Sequence, residues 1–358
     1  MTGATLAITD WSAVSPFGTG RDAFVKGVRQ QVSTAVQLDP EQWGAPEGVA
    51  CLVPDFDVRT VLGKKGTRSM NRVTGLAVAA SGDLLASAGG LTVPRERTGF
   101  VLGTTVGSAQ STIDLTRGSL TGERPYHVES GLIPYAVMNG TAGQCAIWYG
   151  LRGPNATLSA GRPGGLVALN YARRLLLSGR AEAVLCGAAE EFSDARAWID
   201  HHSRDQGAAA PVLGEGCALF SLTTEPERPP LAELLAVGSA TFADGDRQGA
   251  VARCVRRALA AGGSEPSQVW VACPSGAAGA EGDGENAALT GLFGASRVGT
   301  PVAALIGETH AASASFELAA LLSRAEDDPS CTGMTAVITS IDPGGTAAAA
   351  VLRLRPDR

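Results

Sequence analysis

The sequence predicts an α/β fold whose sheets are covered on both faces. Three observations carry this. Short apolar runs alternate with longer helical patterns along the whole chain. The strand-like runs are almost continuously apolar, as strands buried on both faces are. The helical segments are rich in Ala and Gly, with 46 Gly in 358 residues, which suits close packing between layers.

Taken in order, TLAITDWSAV (5–14) reads as a strand running into a turn. MNRVTGLAVAASGDLLASAG (70–89) reads as a helix with small residues on its packed face, and TGFVLGTTVG (98–107) as a buried strand. AVMNGTAGQCAIWYG (136–150) is a small-residue helix suited to tight packing. NATLSA (155–160) is a strand, GLVALNYARRLLLSG (165–179) an amphipathic helix closed by Gly179, and AEAVLCGAAEE (181–191) and GCALFSLTT (216–224) are strands. In the second half, 250–263 and 314–328 are helices, and 268–276, 335–342 and 346–356 are strands. The order helix, strand, Gly turn, strand occurs at 165–223 and again at 314–354. That rhythm predicts a duplicated unit, with halves 1–228 and 229–358 meeting at EPERPP (225–230).

Composition narrows the function. At this size a chain buries roughly 75% of its unfolded surface, and 44% hydrophobic against 18% charged residues describes a well-buried globular protein. A formal net charge of −6 argues against nucleic acid or an anionic membrane as partner. The seven cysteines (51, 145, 186, 217, 254, 273, 331) form no CxxC and no Cys/His cluster, so neither a disulfide framework nor a metal site is expected. MTGATLAITDW has no basic leader and enters a strand directly, and no apolar run reaches ~18 residues, so a cytoplasmic location is expected and no cofactor is called for.

Five stretches in the correct order then resemble the β-ketoacyl synthases of the thiolase fold. LAITDWSAVSPFGTGRDAF (6–24) is similar to the family's first strand and Ser-Pro-x-Gly turn. GLRGPNATLSAGRPGGLVAL (150–169) resembles the nucleophile elbow, normally Thr-Ala-Cys-Ser-Ser-Gly at its tip. VLGEGCALFSL (212–222), GETHAASASFE (307–317) and IDPGGTAAAAVL (341–352) resemble the Gly-Glu-Gly strand entry, the second catalytic-His loop and the closing Gly-Gly-Thr-Asn strand. The resemblance implies duplicated α/β halves in a five-layered αβαβα architecture.

The departures from the family carry the functional expectation. Members that condense acyl chains use one Cys and two His. Alignment on the motifs puts Arg162 at the Cys, Pro274 at the first His, Glu308 at the second His, and Ala303 at the family's usual Lys. Arginine stays protonated and cannot attack a thioester. Cys273 and His310 are the nearest residues that could substitute, and both read more simply as a strand-core thiol and a helix-entry residue.

A ketosynthase fold without its Cys resembles the chain-length factor, or ketosynthase-β subunit, of type II polyketide synthases. That resemblance implies a heterodimer with an active ketosynthase-α and a chain-length-limiting tunnel at the interface. Such subunits usually carry Gln where Arg162 stands, and 192–213 is shorter than the family's lid, so an unusual branch is expected, with polyene-forming systems one home for it. By resemblance, the stretch after Gly107 (SAQSTIDLTRGSL, 108–120) is a helix that carries the gate, with Ser108, Ala109, Thr112, Leu115 and Thr116 as tunnel candidates, and 140–150 packs at the dimer interface. The acyl carrier protein is expected to dock mainly on the partner, with Arg173 and Arg174 a local exception. An isolated buried guanidinium is costly, so Arg162 is expected to pair with Glu308. A stand-alone thiolase-fold acyltransferase using Cys273 or His310, and a carrier-binding scaffold, remain the alternatives.

Overall fold

A computed structural model describes residues 6–87, 93–204, 209–243 and 245–355. The principal strands are β1 (Leu6–Ser15), β2 (Thr98–Thr104), β3 (Asn155–Ser159), β4 (Ala183–Glu190), β5 (Gly216–Thr223), β6 (Ala232–Thr241), β7 (Val269–Cys273), β8 (Thr335–Asp342) and β9 (Thr346–Leu354). The principal helices are α1 (Arg21–Gln30), α2 (Arg72–Ser87), α3 (Ala109–Thr121), α4 (Gly140–Tyr149), α5 (Gly164–Leu177), α6 (Asp194–Ser203), α7 (Arg247–Ala261), α8 (Gly279–Phe293) and α9 (Ser313–Asp327).

The strands run in the order β7-β8-β9-β6-β1-β5-β4-β2-β3. Each half repeats one plan. In the first, β2 and β4 are parallel, and β4, β5 and β1 follow antiparallel. In the second, β7 and β8 are parallel, and β8, β9 and β6 follow antiparallel. The halves meet where β1 pairs with β6 through only three residue pairs, Leu6–Leu234, Ala7–Glu233 and Ile8–Ala232.

Side-chain alternation explains the apolar strands. Along β5, Ala218, Phe220 and Leu222 face the central core, while Cys217 and Leu219 face an outer one with α2 and α4. Along β8, Ala336 and Ile338 face the same central core, while Val337 and Ile341 face a second outer core with α7 and α8. Both faces need apolar residues, so the period-2 signal disappears. The central core holds α5 and α9, one helix from each half, and the layers are therefore α2/α4, sheet, α5/α9, sheet, α7/α8. Phe24 stacks on Phe316 of α9 (centroids 5.8 Å, 14°), and Trp11 meets Phe24 edge-on at 5.8 Å.

The predicted elements lie within a few residues of these bounds. The strand expected over 268–276 stops at Cys273 because Pro274 has no N–H for the ladder. The expected end of the helix at 88–89 and of the last strand at 356 fall outside the described residues. Of the principal elements, four were not anticipated: α1, α6, α8 and β6. The first turns of α8 read GAEGDGEN, poor helix formers, and β6 reads AELLAVGSAT, which lacks β-branched residues at most positions.

One glycine sets the position of the candidate site. A Cβ on Gly103 of β2 would lie 2.5 Å from the carbonyl oxygen of Gly164 and 3.0 Å from the nitrogen of Gly165, so α5's first turn rests directly on the strand. Gly103→Ala is expected to cost about 1–3 kcal/mol, since backbone must move to admit the methyl. Denaturant unfolding measures this, and an unchanged midpoint would refute the close approach.

Candidate functional site

β3 leads through residues 160–163 into α5. Gly161 holds φ +59, and Pro163 with φ −66 presets the helix entry. Between them Arg162 is buried, with 8% of its surface exposed. Its Nε donates to Glu308 Oε1 at 3.1 Å, and its terminal nitrogen donates to Oε2 at 2.6 Å, a bidentate pair.

Glu308 is held from behind. Its N–H donates to Val212 O (2.8 Å), its carbonyl accepts from Gly214 N–H (2.9 Å) and from Arg196 (2.8 Å), and Gly307 turns the chain at φ +76. Oε1 also accepts the His310 N–H at 2.7 Å. Burial pushes the Glu308 carboxyl up, but the Arg162 charge outweighs it and holds the group below its ordinary value. Burial likewise opposes the Arg162 charge, and Glu308 outweighs it in the other direction.

Two residues that sequence reasoning did not single out complete the cluster. Arg196, 8% exposed, donates to three main-chain oxygens, those of Glu191 (2.7 Å), Gly214 (2.8 Å) and Glu308. Asp342, at the end of β8, accepts the Arg162 N–H at 2.9 Å. The only sequence signal for either is an Asp directly before Pro-Gly-Gly.

The other candidates are placed as follows. Pro274 is buried one residue past β7, next to Ser275, whose N–H and hydroxyl both donate to the buried Glu285. Ala303 lines a cavity of about 320 Å³ together with Gly276, Pro301 and Glu308. Cys273 is buried and its thiol is pushed up to about 12 by burial. Burial pushes the His310 imidazole down to about 3, helped by the Arg196 charge, and its Nε2 lies 3.8 Å from Asp200. All seven cysteines are buried free thiols, and among the described residues no group of His, Cys, Asp and Glu could hold a metal.

Ser108 caps α3, accepting from Ser111 N–H and donating to Glu191 at 2.7 Å, and it is buried with Ala109. Thr112, Leu115 and Thr116 face outward on α3: the two threonines are exposed, Leu115 is half-buried, and Thr112 bonds back to Ser108 O and across to Ala136 O. The Arg162 pair and this helix therefore lie on separate elements, α5 and α3, that are both anchored at the β2 end.

Residues 4–227 match the family of the β-ketoacyl synthase N-terminal domain. This chain belongs to the β-ketoacyl synthase family. The β-ketoacyl synthase fold extends over the full length: the structure of the ishigamide ketosynthase/chain length factor is 46% identical, with a TM-score of 0.93 over 98% of this chain and 99% of that one. A β-ketoacyl synthase from Burkholderia phymatum STM815, 20% identical with a TM-score of 0.82 over 98% of this chain and 99% of that one, shares the fold. Among curated relatives, 3-oxoacyl-[acyl-carrier-protein] synthase 2 of Vibrio harveyi is 27% identical over 61% of this chain, and the match spans 57% of that protein. The actinorhodin polyketide β-ketoacyl synthase 2 of Streptomyces coelicolor is 28% identical over 83% of this chain and 79% of its own.

Proposed function

We propose that this chain is a noncatalytic chain-length factor of a type II polyketide synthase. It pairs with an active ketosynthase-α and shapes the interface tunnel that limits chain length. The observation that carries this reading is the Arg162–Glu308 pair. In this reading the two residues stand where a condensing enzyme of the family has its nucleophile and its second His, and a bidentate salt bridge closes that place to an acyl chain. The likeness to the ishigamide ketosynthase/chain length factor supports the pairing. Residues 1–228 and 229–358 are taken as its two halves.

The surface supports a partner as well. β3 ends the sheet order, so its outer edge carries unpaired backbone groups. Around it, Val106, Val137, Met138 and Ile147 are exposed, Ile147 by 76%. A free edge flanked by apolar side chains calls for a cover, and in this reading the ketosynthase-α subunit supplies it. The acyl carrier protein is then received mainly by that partner. Among the described residues no helix is long and apolar enough to cross a membrane, and we place the complex in the cytoplasm.

The outward face of α3, with Thr112, Leu115 and Thr116, would meet the partner and line the tunnel, while Ser108 and Ala109 set the helix start. Thr112→Trp, co-expressed with the partner ketosynthase, is expected to shorten the products. Mass spectrometry of the released chains measures this, and an unchanged length distribution would count against the gate. The acyltransferase alternative draws no support from Cys273 or His310: the thiol is held protonated and the imidazole is held neutral. An acyl-carrier crosslinker that reacts with thiols is expected to label the partner and leave this chain unmodified.

A further inference from the structure

A second acidic side chain faces the turn into α5. Asp342 Oδ2 accepts the Arg162 backbone N–H at 2.9 Å, and Oδ1 accepts the Gly344 N–H at 2.8 Å. Its carbonyl oxygen accepts the Gly345 N–H at 3.0 Å. One carboxylate therefore fastens the turn between β8 and β9 to the entrance of α5. Gly161 makes room for it, because a Cβ there would lie 2.1 Å from Oδ2.

The amide involved is a particular one. It stands just ahead of the first turn of a 14-residue helix, where free N–H groups and the helix dipole favour negative charge. Preorganised backbone N–H groups at such places are what stabilise an oxyanion during acyl transfer. We propose that Asp342 is a built-in oxyanion surrogate: its carboxylate fills the anion position at the entrance of α5 and pins the 343–345 turn over it. This rests on the reading of position 162 as a retired nucleophile site.

The seal is separate from the side-chain pair. The Arg162 guanidinium goes to Glu308, whereas the Arg162 main chain goes to Asp342. The two contacts come from different loops, 307–310 and 342–345. Returning a cysteine to position 162 would therefore remove one block and leave the other. A thiol there would face a carboxylate, which disfavours the thiolate that does the chemistry.

Alkylation tests this without any partner or product assay, so its failure is distinct from failure of the chain-length reading. Full-length R162C/E308Q and R162C/E308Q/D342G would be treated with iodoacetamide and position 162 followed by peptide mass spectrometry. The Glu308→Gln change avoids an orphaned buried carboxylate in both, and the buried native thiols keep the background low. At least tenfold faster alkylation is expected with Asp342 removed, and equal rates would overturn the proposal. A second measurement needs no cysteine variant. Hydrogen exchange at the Arg162 and Gly344 amides should quicken at least tenfold in Asp342→Ala against the native chain, and unchanged exchange would overturn it equally.

Discussion

Glu308→Ala is expected to destabilise the protein by about 3–5 kcal/mol, the range for a buried charge left without its partner. Arg162 is 8% exposed and spends two of its nitrogens on this one carboxylate. The same substitution removes the acceptor of the His310 N–H, at a residue already in the left-handed region with φ +44. Denaturant unfolding gives the value, and a loss below about 1 kcal/mol would mean that the pair contributes as little as an exposed one. Replacing both partners by apolar residues of matching volume should restore most of the loss, since the cost lies in the orphaned charge. Because the Glu308 carboxyl is held below its ordinary value, its contribution is present above the usual carboxylate range and disappears as pH falls through the depressed value.

Another buried carboxyl behaves in the opposite sense. Glu317 of α9 accepts from Val302 N–H at 2.6 Å, and burial pushes it from 4.5 up to about 8. The group binds its proton more tightly folded than unfolded. Stability is therefore greatest below the ordinary carboxyl value, declines as pH rises from 4.5 to about 8, and is flat beyond. Glu191, pushed up to about 7 by burial, adds a slope of the same sign. The decline approaches about 1.4 kcal/mol per pH unit for one fully titrating group. Glu317→Gln is expected to flatten part of it, leaving what is due to Glu191 and to Glu190 and Glu285, whose carboxyls burial also pushes up. Thermal unfolding of both proteins from pH 5 to 8 is the test, and parallel curves would remove Glu317 from the account.

The part of the molecule that the sequence reveals is the part where one physical signal dominates. Continuous apolar runs mark β2, β4, β5, β8 and β9 because each is buried on both faces. The pairing of Arg162 with Glu308 follows from charge arithmetic: a buried guanidinium needs an anion, and the second motif placed one opposite it. α8 and β6 were hidden because their stability comes from packing on neighbours, which glycines and alanines at their positions do not announce. Asp342 was hidden for another reason. Its role depends on the approach of two turns 180 residues apart, and a lone Asp before Pro-Gly-Gly reads as an ordinary turn residue. Arg196 serves main-chain oxygens, which leave no mark in a sequence at all.

The central layer takes one helix from each half, α5 from the first and α9 from the second, and both sheets close upon them. Each half thus presents an open apolar face that only the other can cover. The chain is in effect a covalently tethered pseudo-dimer, with residues 224–231 as the tether that keeps the effective concentration of each half high. Cutting that tether should yield fragments that are insoluble apart and recover a fold when refolded together. Recovery on mixing would show that the tether replaces an association step with an intramolecular one.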